Sequence, residues 1–585
     1  MRLEDYWGVG PKTRDLLADE LGVEAAIAAI ESADVRALTD AGLPRGRATR
    51  VLRHAHGGEA MDLLATRDAR EVYKQVLAIA GEYAVTNGAA DRIQVLTPLA
   101  DRSAMEDRLT EVLAARDTWA ALEESDREAV MAAFDAYDSV AGGDLPTVRA
   151  ALELQAAGVE VGVFEPIAAL DRETLEEAAA ALAGLEGGGD RVGEGADDRL
   201  DDLRAQLGAV EDMAATPDEV LKGVRSGARG RDDLRESFAR QVAEETDVGL
   251  GTVREAMPDD AADASAFVGE TLRGLAEGRR EAVEEREAGV AQRLEGVLEE
   301  ARREIDAAVG AVDDAAFFVS LARFALAFDL SRPAFADRQI TGAVEARNLF
   351  LEDAGEDVQP VTYAVGAHDL PVRGASDPPD DDRVAVLTGA NSGGKTTLLE
   401  TLCAIQVLAQ MGLPVPATAA EVGVVDTVVF HRRHASFNAG VLESTLRTVV
   451  PPLTDDGTTL MLVDEFEAIT EPGSAADLLH GLVTLTVGRD AAGVFVTHLA
   501  DDLEPLPGEA RTDGIFAEGL TPDLELEVDY QPRFGTIGRS TPEFIVSRLV
   551  ARATDRRERA GYGTLAEAIG DRAVQRTLAD ARWQD

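Results

Sequence analysis

The feature that most constrains this chain is a glycine-rich stretch at residues 389–396, which reads Gly-Ala-Asn-Ser-Gly-Gly-Lys-Thr. The stretch fits the pattern G-x-x-x-x-G-K-[ST]; it follows a short apolar run at 383–388 and precedes a run of helical periodicity at 397–411. A strand, a loop and a helix in this order form a phosphate cradle, because the glycines let several backbone N–H groups converge on one anion. The stretch therefore predicts a phosphate-binding loop, whereas the alternative is a chance glycine-rich turn.

The residues of this loop and of the first helical turn are predicted to contact a bound nucleotide. We expect Lys395 to reach the β- and γ-phosphate oxygens and the Thr396 hydroxyl to ligate Mg²⁺. The predicted nucleotide-binding residues are Gly389, Ala390, Asn391, Ser392, Gly393, Gly394, Lys395, Thr396 and Thr397.

Two further apolar runs end in residues that complete such a site. Residues 460–463 read Leu-Met-Leu-Val, as expected of a strand buried on both faces, and are followed by Asp464 and Glu465. Asp464 fits the carboxylate on the Mg²⁺ side, and Glu465 fits the catalytic residue that polarises the attacking water. A third buried strand is predicted at 493–497, and the His498 that follows it could contact a γ-phosphate or its attacking water. For a single histidine, the alternative is a structural role.

The charge of the chain is extreme but dispersed. The sequence has 109 acidic and 57 basic residues, giving a formal net charge of −52, and only four of the basic residues are lysines. A dispersed acidic surface with little lysine is typical of proteins adapted to a salt-saturated cytoplasm, where self-repulsion is screened over a few ångströms. The charge therefore indicates a halophilic protein and says little about its partners.

The single cysteine and the hydropathy pattern favour a cytoplasmic protein. Cys403 lies in the helical run after the glycine-rich loop and is most simply a small core residue, which excludes a disulfide framework. No signal peptide is visible, and the most apolar long run, at 315–328, is too short to span a membrane. We expect no membrane partner.

The N-terminus contains two related glycine-containing hairpins, at 7–13 and 41–47. Each resembles half of a doubled helix-hairpin-helix module, a family that binds nucleic-acid backbones through N–H groups that glycines bring close to phosphates. The segment 42–58 carries four arginines and two histidines without an acid. The alternative is a protein-docking adaptor. The predicted DNA-binding residues are Gly8, Gly10, Lys12, Arg45, Gly46 and Arg47.

The middle of the chain is predicted to be helical. Residues 57–185 read as a helical core with a possible strand at 159–164. Beyond a glycine-rich acidic break, apolar residues recur at helical spacing between Pro258 and Pro333. We expect a long arm here, broken or softened by four glycines, whereas the alternative is an ordinary bundle helix. Those glycines are Gly274, Gly278, Gly289 and Gly296.

Several blocks in the second half resemble consecutive motifs of the MutS family of DNA-repair ATPases. The glycine-rich block with its Asn391 and the block LAQMGLPVPA are similar to the recombination-linked branch of that family. No mismatch-reading domain is evident, because Glu165 follows Phe164 directly and the spacing of a Phe-x-Glu wedge is absent. The matching blocks are FFVSLARFALAFDLSRP (317–333), EARNLFL (345–351), LTGANSGGKTTLLETL (387–402), LAQMGLPVPA (408–417), MLVDEF (461–466), FVTHL (495–499) and VDYQPRFGTIGRSTPEFIVSRL (528–549).

This resemblance implies a homodimeric, Mg²⁺-dependent ATPase that binds DNA and opens and closes its arms with ATP turnover. The implied role is DNA repair, either mismatch repair or recombination, on branched, recombining or damaged DNA. Each nucleotide would lie between two ATPase domains, with a loop at 440–445, including Ser444, completing the partner's site. The family's Gly-x-Gly-Thr is replaced by Glu-Ala-Ile-Thr at 467–470. One rival is therefore a DNA clamp that binds ATP as a switch and barely hydrolyses it, and another is an ATPase whose hairpins bind proteins.

The sequence thus predicts a multidomain chain, mainly α in its N-terminal half with long arm helices, followed by an α/β P-loop ATPase domain of the ABC type. Its expected segments are a doubled hairpin module (1–56), a helical core (57–185), an extended helical arm (186–312), a helical return to the core (313–345), the ATPase domain (346–550) and a helical tail (551–585).

Overall fold

The computed structural model forms two compact units, one combining Met1–Arg127 with Asp314–Asp585 and the other consisting of Glu128–Asp313. The chain is multidomain and largely helical in its N-terminal half, as the sequence predicts. No helix in the described part of the chain is long and apolar enough to cross a bilayer. The structure describes residues 2–570 except 7, 32, 139–142, 187–190, 226–230, 373–376, 390–393, 434–438, 467–471, 522–523 and 539–541, and also residue 574.

The first unit opens with helices whose starts are fixed by side-chain caps. Asp34, Thr66, Thr86 and Asp101 each accept a backbone N–H three residues further on, which satisfies a donor that the helix itself leaves unpaired. Short 3₁₀ helices lie at Leu3–Asp5 and Gly58–Leu63. The α-helices are α1 (Pro11–Glu20), α2 (Val23–Glu31), α3 (Val35–Asp40), α4 (Arg45–Gly57), α5 (Arg67–Glu82), α6 (Asn87–Gln94) and α7 (Arg102–Ala121).

The second unit is a helical body with one small strand pair. The strands β1 (Leu185–Glu186) and β2 (Arg191–Val192) pair antiparallel. Its helices, the first and last of which also extend into the first unit, are α8 (Glu124–Asp138), α9 (Asp144–Ala156), α10 (Glu165–Ala168), α11 (Arg172–Gly184), α12 (Asp198–Ala215), α13 (Pro217–Arg225), α14 (Arg231–Thr246), α15 (Leu250–Glu255) and α16 (Ala264–Ala327).

Helix α16 corresponds to most of the predicted arm, and it runs for 64 residues without interruption. The expected break at the glycines is wrong, because all four predicted positions lie inside the helix, whereas softening of the helix by these glycines stays a prediction. A glycine in a helix costs about 1 kcal/mol relative to alanine, which buried contacts can offset. Leu272, Leu275 and Val290 supply such contacts, since each is buried in the hydrophobic clusters of the second unit.

An ion pair fastens the start of α12 to α16 within this unit. Arg286 donates from Nε and Nη2 to the two carboxylate oxygens of Asp197, over 2.9 and 2.7 Å. Asp197 also caps α12 by accepting the backbone N–H of Leu200. The bond from Arg286, with the Leu200 N–H and Arg293, lowers the pKa of Asp197 to about 2.

The rest of the first unit combines helices with two sheets. The helices are α17 (Leu349–Asp353), α18 (Lys395–Gln410), α19 (Ala439–Thr454), α20 (Pro472–Gly488), α21 (Pro542–Arg552) and α22 (Arg556–Ile569). The strands are β3 (Pro333–Ala336), β4 (Thr341–Ala346), β5 (Val361–Val365), β6 (Val384–Gly389), β7 (Ala419–Gly423), β8 (Thr427–His431), β9 (Thr459–Asp464), β10 (Ala492–Val496), β11 (Ala510–Leu520) and β12 (Leu526–Phe534).

The larger sheet in the described residues has the strand order β12-β11-β6-β10-β9-β8. Strands β11, β6, β10, β9 and β8 run parallel, and β12 pairs antiparallel with β11 at one edge. A smaller mixed sheet has the order β3-β7-β4-β5. The predicted strands at 383–388, 460–463 and 493–497 are confirmed as β6, β9 and β10, and the predicted helix at 397–411 is confirmed as α18.

The parallel strands are buried on both faces because helices cover the larger sheet from two sides. In β6, Ala385 and Leu387 join a core that includes α18, whereas Val384 and Val386 join a core that includes α19 and α20. Every residue of β6, β9 and β10 is buried. This explains why these strands read as continuous apolar runs.

Two further sequence expectations differ from the structure. The possible strand at 159–164 is wrong, since Gly162–Phe164 forms a 3₁₀ helix that leads into α10, where a proline occupies the first turn. Proline suits a helix start because its missing N–H is not needed there. The helical return expected at 313–345 ends at Ala327, and β3 and β4 follow it.

Candidate functional site

The carboxyl ends of the central parallel strands meet at one edge of the larger sheet. Leu387 of β6 pairs with Val496 of β10, and Val496 in turn pairs with Asp464 of β9. This register places Gly389, Asp464 and the residues after Val496 together. Open α/β sheets bind ligands at this edge, outside the carboxyl ends of their strands.

Two glycines at the ends of the glycine-rich loop occupy positions that a side chain could not fill. Gly389 has φ +135°, and an added Cβ would collide with the carbonyl oxygen of Ile515 on β11. Gly394 has φ +69°, caps α18, and would place a Cβ 2.8 Å from the ring of Tyr530. The predicted contacts Ala390, Asn391, Ser392 and Gly393 lie outside the described residues. Close backbone packing therefore favours glycine at 389, whereas the positive φ and the nearby Tyr530 ring favour it at 394.

The first turn of α18 brings together the predicted lysine and the predicted metal ligand. Lys395 is 4% exposed, and its Nζ donates to the carbonyl oxygen of Gly389 over 2.9 Å. The Thr396 hydroxyl donates to Oδ2 of Asp464 over 2.6 Å. Thr397 lies beside them and is half-buried. Three of the predicted nucleotide contacts thus surround one strand end.

Asp464 is buried with one oxygen unused. It is 3% exposed, and its Oδ1 has no hydrogen-bond partner among the described residues. Burial raises the pKa of Asp464, and the bond from Thr396 opposes that shift. A buried carboxylate oxygen without a donor is costly unless a cation or water satisfies it. This oxygen and the Thr396 hydroxyl fit the ligand types that Mg²⁺ prefers.

Glu465 and His498 form a hydrogen-bonded pair at the adjoining strand ends. The imidazole Nε2 lies 2.7 Å from Oε1 of Glu465 and donates to it. The Glu465 backbone has φ +43°, a conformation that costs a residue with a side chain about 1–3 kcal/mol, and its N–H donates to the Val496 carbonyl. The bond from His498 lowers the pKa of Glu465 against the opposing effect of burial. The two predicted catalytic residues therefore lie in contact.

Arg433 is a site residue that the sequence reasoning missed. Its Nη1 lies 2.6 Å from Oε2 of Glu465, and its side chain is 55% exposed. It follows the end of β8 by two residues, and β8 is the parallel neighbour of β9. The usable signal was a basic residue just after an apolar run, since such residues collect at the same sheet edge as Asp464.

A cavity of about 320 Å³ opens beside the start of α18. Thr397, Thr401, Asn348 and the ring of Tyr530 contribute to its wall. Asn348 donates from Nδ2 to the carbonyl oxygen of Thr397 over 3.3 Å, and Tyr530 is 39% exposed. An apolar ring beside a few polar groups can hold a planar heterocycle next to the phosphate cradle.

In the two N-terminal segments predicted as hairpins, Gly8, Gly10 and Gly42 lie one to three residues before helix starts. Gly8 (φ +81°) and Gly42 (φ +88°) have positive φ, and Gly10 is the residue that caps α1. Lys12 is exposed in the first turn of α1, whereas Arg45, Gly46 and Arg47 occupy the exposed first turn of α4. Free N–H groups at helix starts can bind phosphate. Arg45 is also paired with Asp91, whose pKa is raised by burial.

The segment expected as a loop at 440–445 is helical in the structure. It lies in the first turns of α19, where Ser444 is exposed and Thr445 is 6% exposed. The prediction of a loop is therefore wrong. The exposed Ser444 hydroxyl remains a prediction as a contact to a partner's nucleotide.

A protein-family model matches part of the chain that forms this site. Residues 385–450, which include β6, α18, β8 and the start of α19, match the family model described as MutS domain V. This part of the chain therefore resembles the MutS family. Over 209 residues the chain is 46% identical to the DNA-binding protein MutS2 of Pyrococcus furiosus, a match that covers 36% of each chain.

Two further relatives match shorter shares of their own length. The DNA mismatch repair protein MutS of Salinibacter ruber is 38% identical over 128 residues, covering 22% of this chain and 13% of the relative. The endonuclease MutS2 of Thermus thermophilus is 31% identical over 239 residues, covering 39% of this chain and 29% of the relative. The chain thus spans only about a third or less of the length of these relatives.

Proposed function

We propose that this chain is a DNA-binding ATPase that uses Mg²⁺ at the strand edge formed by Gly389, Thr396, Asp464 and Glu465. The observation that carries the proposal is the Thr396–Asp464 contact of 2.6 Å beside the unpartnered Oδ1 of Asp464. Gly389 and Gly394 flank the loop with the positive φ angles that glycine favours, and the Lys395 ammonium lies beside Gly389. These groups fit a Mg²⁺–nucleotide complex.

Each residue has a defined part in the proposed reaction. Bound Mg²⁺–ATP supplies the γ-phosphoryl group and neutralises part of its charge. Thr396 and Asp464 would hold the metal, and Lys395 would exchange its bond with the Gly389 carbonyl for phosphate oxygens. Glu465 accepts a proton from the attacking water, and His498 orients the Glu465 carboxylate through its bond to Oε1.

A rival function, an ATP-switched DNA clamp with little hydrolysis, is favoured by the bonding of Glu465. Both of its carboxylate oxygens already have cationic or donor partners, and its pKa is lowered, which weakens it as a base. A single-turnover hydrolysis assay in molar KCl separates the two functions. Turnover that depends on Mg²⁺ and disappears in Glu465→Gln supports the ATPase, whereas bound ATP that survives unhydrolysed supports the switch.

DNA binding is proposed for the two N-terminal hairpins. Their helix starts carry Lys12, Arg45 and Arg47, and one relative of this chain bears the name DNA-binding protein. Branched, recombining or damaged DNA is the proposed target class. We expect a binding panel of duplex, mismatched, single-stranded and four-way DNA to show a preference for the four-way form.

The test of the hairpins uses charge substitutions with a matched control. Lys12→Ala and Arg47→Ala should weaken binding to every DNA in the panel, since backbone contacts do not depend on sequence. Arg14→Ala is the control, because Arg14 lies on the same helix but is already paired with Glu4 and Asp15. Unchanged DNA binding in both test variants would favour protein docking by the hairpins.

A homodimer with shared nucleotide sites and ATP-driven closure around DNA completes the proposal. It rests on the exposed Ser444 and on the family resemblance. The hydrolysis rate per chain should rise with protein concentration across the dimerisation range. ATP should slow dissociation more from circular than from linear DNA, and equal lifetimes on both would remove the enclosure from the account.

A further inference from the structure

Both carboxylate oxygens of Glu465 have partners, and the partner on Oε2 is one that the hydrolysis reaction does not require. His498 bonds Oε1 at 2.7 Å, and Arg433 bonds Oε2 at 2.6 Å. The Glu465 side chain is only 10% exposed, whereas Arg433 is 55% exposed. Each carboxylate oxygen keeps a second lone pair, but the guanidinium on Oε2 competes with a water molecule for the carboxylate and makes Glu465 a poorer proton acceptor. Of the two, the exposed Arg433 is the one with space to leave.

Arg433 stands at the end of β8, the outer strand of the parallel set. The open edge of β8 is covered by a segment far away in sequence, since Leu64 forms a parallel bridge to Val428. The hydroxyl of Thr66 bonds both backbone groups of Phe430, with distances of 2.6 Å to the carbonyl oxygen and 3.2 Å to the N–H. One buried side chain therefore fixes the strand three residues before Arg433.

The same segment also contacts Arg432, the residue directly before Arg433. The backbone N–H of Arg432 donates to Oδ2 of Asp68 over 2.8 Å, and its side chain pairs with Glu400 on α18. We call residues 64–68 the edge clasp. The clasp follows the N-terminal hairpin module through a single 3₁₀ helix, Gly58–Leu63. A displacement of the module would thus reach the end of β8 over a short stretch of chain.

We infer that Arg433 is a latch that holds the base Glu465 inactive, and that the edge clasp couples the state of the N-terminal hairpin module to this latch. The inference rests on the proposed ATPase function and adds its regulation. When DNA engages the hairpins, the clasp shifts β8, Arg433 leaves Oε2, and Glu465 becomes free to accept a proton from water. Without DNA, the latch keeps hydrolysis slow while nucleotide binding is unaffected.

The first test compares ATP hydrolysis by Arg433→Ala, Arg433→Lys and wild type in molar KCl, with and without duplex or four-way DNA. Losing a half-exposed ion pair should raise the DNA-free kcat about three- to tenfold and leave the KM for ATP unchanged. Arg433→Lys keeps a cation and should remain near wild type. Stimulation by DNA should nearly vanish in Arg433→Ala. The control is Arg383→Ala, because Arg383 also pairs with two carboxylates but lies at the opposite end of β6.

The second test addresses the clasp through Thr66→Val, which keeps the side-chain shape and removes the hydroxyl. Thr66 also caps α5, so Thr86→Val is the matched control: Thr86 is a buried cap of α6. Thr66→Val should raise the DNA-free kcat, as Arg433→Ala does, whereas Thr86→Val should leave it unchanged. The double variant Thr66→Val/Arg433→Ala should match Arg433→Ala alone, because both substitutions release one latch.

The outcomes separate the latch from the proposed function. If wild type hydrolyses ATP and Arg433→Ala is slower or unchanged, the latch is overturned and the ATPase stands. If neither protein hydrolyses ATP under any DNA condition, the ATPase and the latch both fail. Additive effects of Thr66→Val and Arg433→Ala would leave Arg433 as a latch but overturn its coupling to the clasp. Thermal unfolding of each variant confirms that the compared proteins are folded.

Discussion

The buried cluster of Arg511, Asp513 and Tyr363 should be the most sensitive structural support of the nucleotide site. The Tyr363 hydroxyl donates to Oδ2 of Asp513 over 2.8 Å, and Arg511 donates to the same oxygen over 3.0 Å. Asp513 is 0% exposed, and burial raises its pKa. Its backbone carbonyl accepts the hydroxyl of Thr388, the residue before Gly389. The cluster thus connects β5 and β11 to the strand that carries the phosphate loop.

Replacing Tyr363 with phenylalanine removes one donor and keeps the ring. The buried Asp513 oxygen loses a bond that water cannot replace, which should cost about 1–3 kcal/mol of unfolding free energy. The first unit has 399 residues, so at about 2.1 cal/mol/K of unfolding entropy per residue each kcal/mol lowers Tm by about 1 °C, and the expected decrease is about 1–4 °C. Arg511→Met should cost about 3–5 kcal/mol, because it leaves a buried carboxylate without its cation.

The assay is thermal unfolding followed by circular dichroism in molar KCl, with ATP affinity measured on the same preparations. Tyr562→Phe is the control, since Tyr562 lies half-exposed on α22. Tyr363→Phe should unfold at a lower temperature than this control and bind ATP more weakly. If Tyr363→Phe is as stable as Tyr562→Phe, or more stable than wild type, the buried carboxylate does not need the hydroxyl and the reasoning is refuted.

Three further predictions concern the loop, the second unit and the hairpins. Gly389→Ala should abolish ATP binding measured by fluorescence titration, because its Cβ would collide with the Ile515 carbonyl oxygen; normal affinity would contradict the close packing. Asp197→Asn should lower Tm at pH 6 but not near pH 2. The pKa of Asp197 is about 2 in the folded chain against a usual 3.8, so its carboxylate stabilises the fold above pH 3.8 and loses that effect as the pH falls through 2. A Tm difference that does not depend on pH would show that charge is not the cause. Binding of DNA through the hairpins should fall with salt as if only about two or three phosphates were contacted, and a steeper slope would indicate ordinary ion pairing.

The local elements of the site could be predicted because their signals are contiguous in sequence. The phosphate loop, Asp464 and Glu465, and His498 each follow an apolar run, and parallel strands that point the same way bring such ends together. Strand-loop-helix order and the carboxylate pair therefore carried most of the information about the chemistry. The matched domain V segment covers the loop and β8.

The rest of the site depends on side-chain contacts between segments that lie far apart in the sequence. Arg433 reaches Glu465 only because β8 lies beside β9. Arg511 on β11 and Tyr363 on β5 come together because both donate to the buried Asp513. The basic residue after β8 indicates a sheet edge but not its partner Glu465, and the Arg511–Tyr363 contact has no local sequence signal. The error at 159–164 has another cause, since six alternating residues are too few to distinguish a strand from a turn before a helix.

The most direct test of the central claim is ATP binding and single-turnover hydrolysis measured in parallel for Lys395→Ala and Glu465→Gln. Removing the phosphate partner weakens the ground state, whereas removing the water-polarising carboxylate acts mainly on the transition state. We expect that Lys395→Ala loses ATP binding, and that Glu465→Gln binds ATP with Mg²⁺ as wild type does but does not hydrolyse it. Wild-type affinity in Lys395→Ala, or wild-type hydrolysis in Glu465→Gln, would contradict the assignment of this strand edge as an ATPase site.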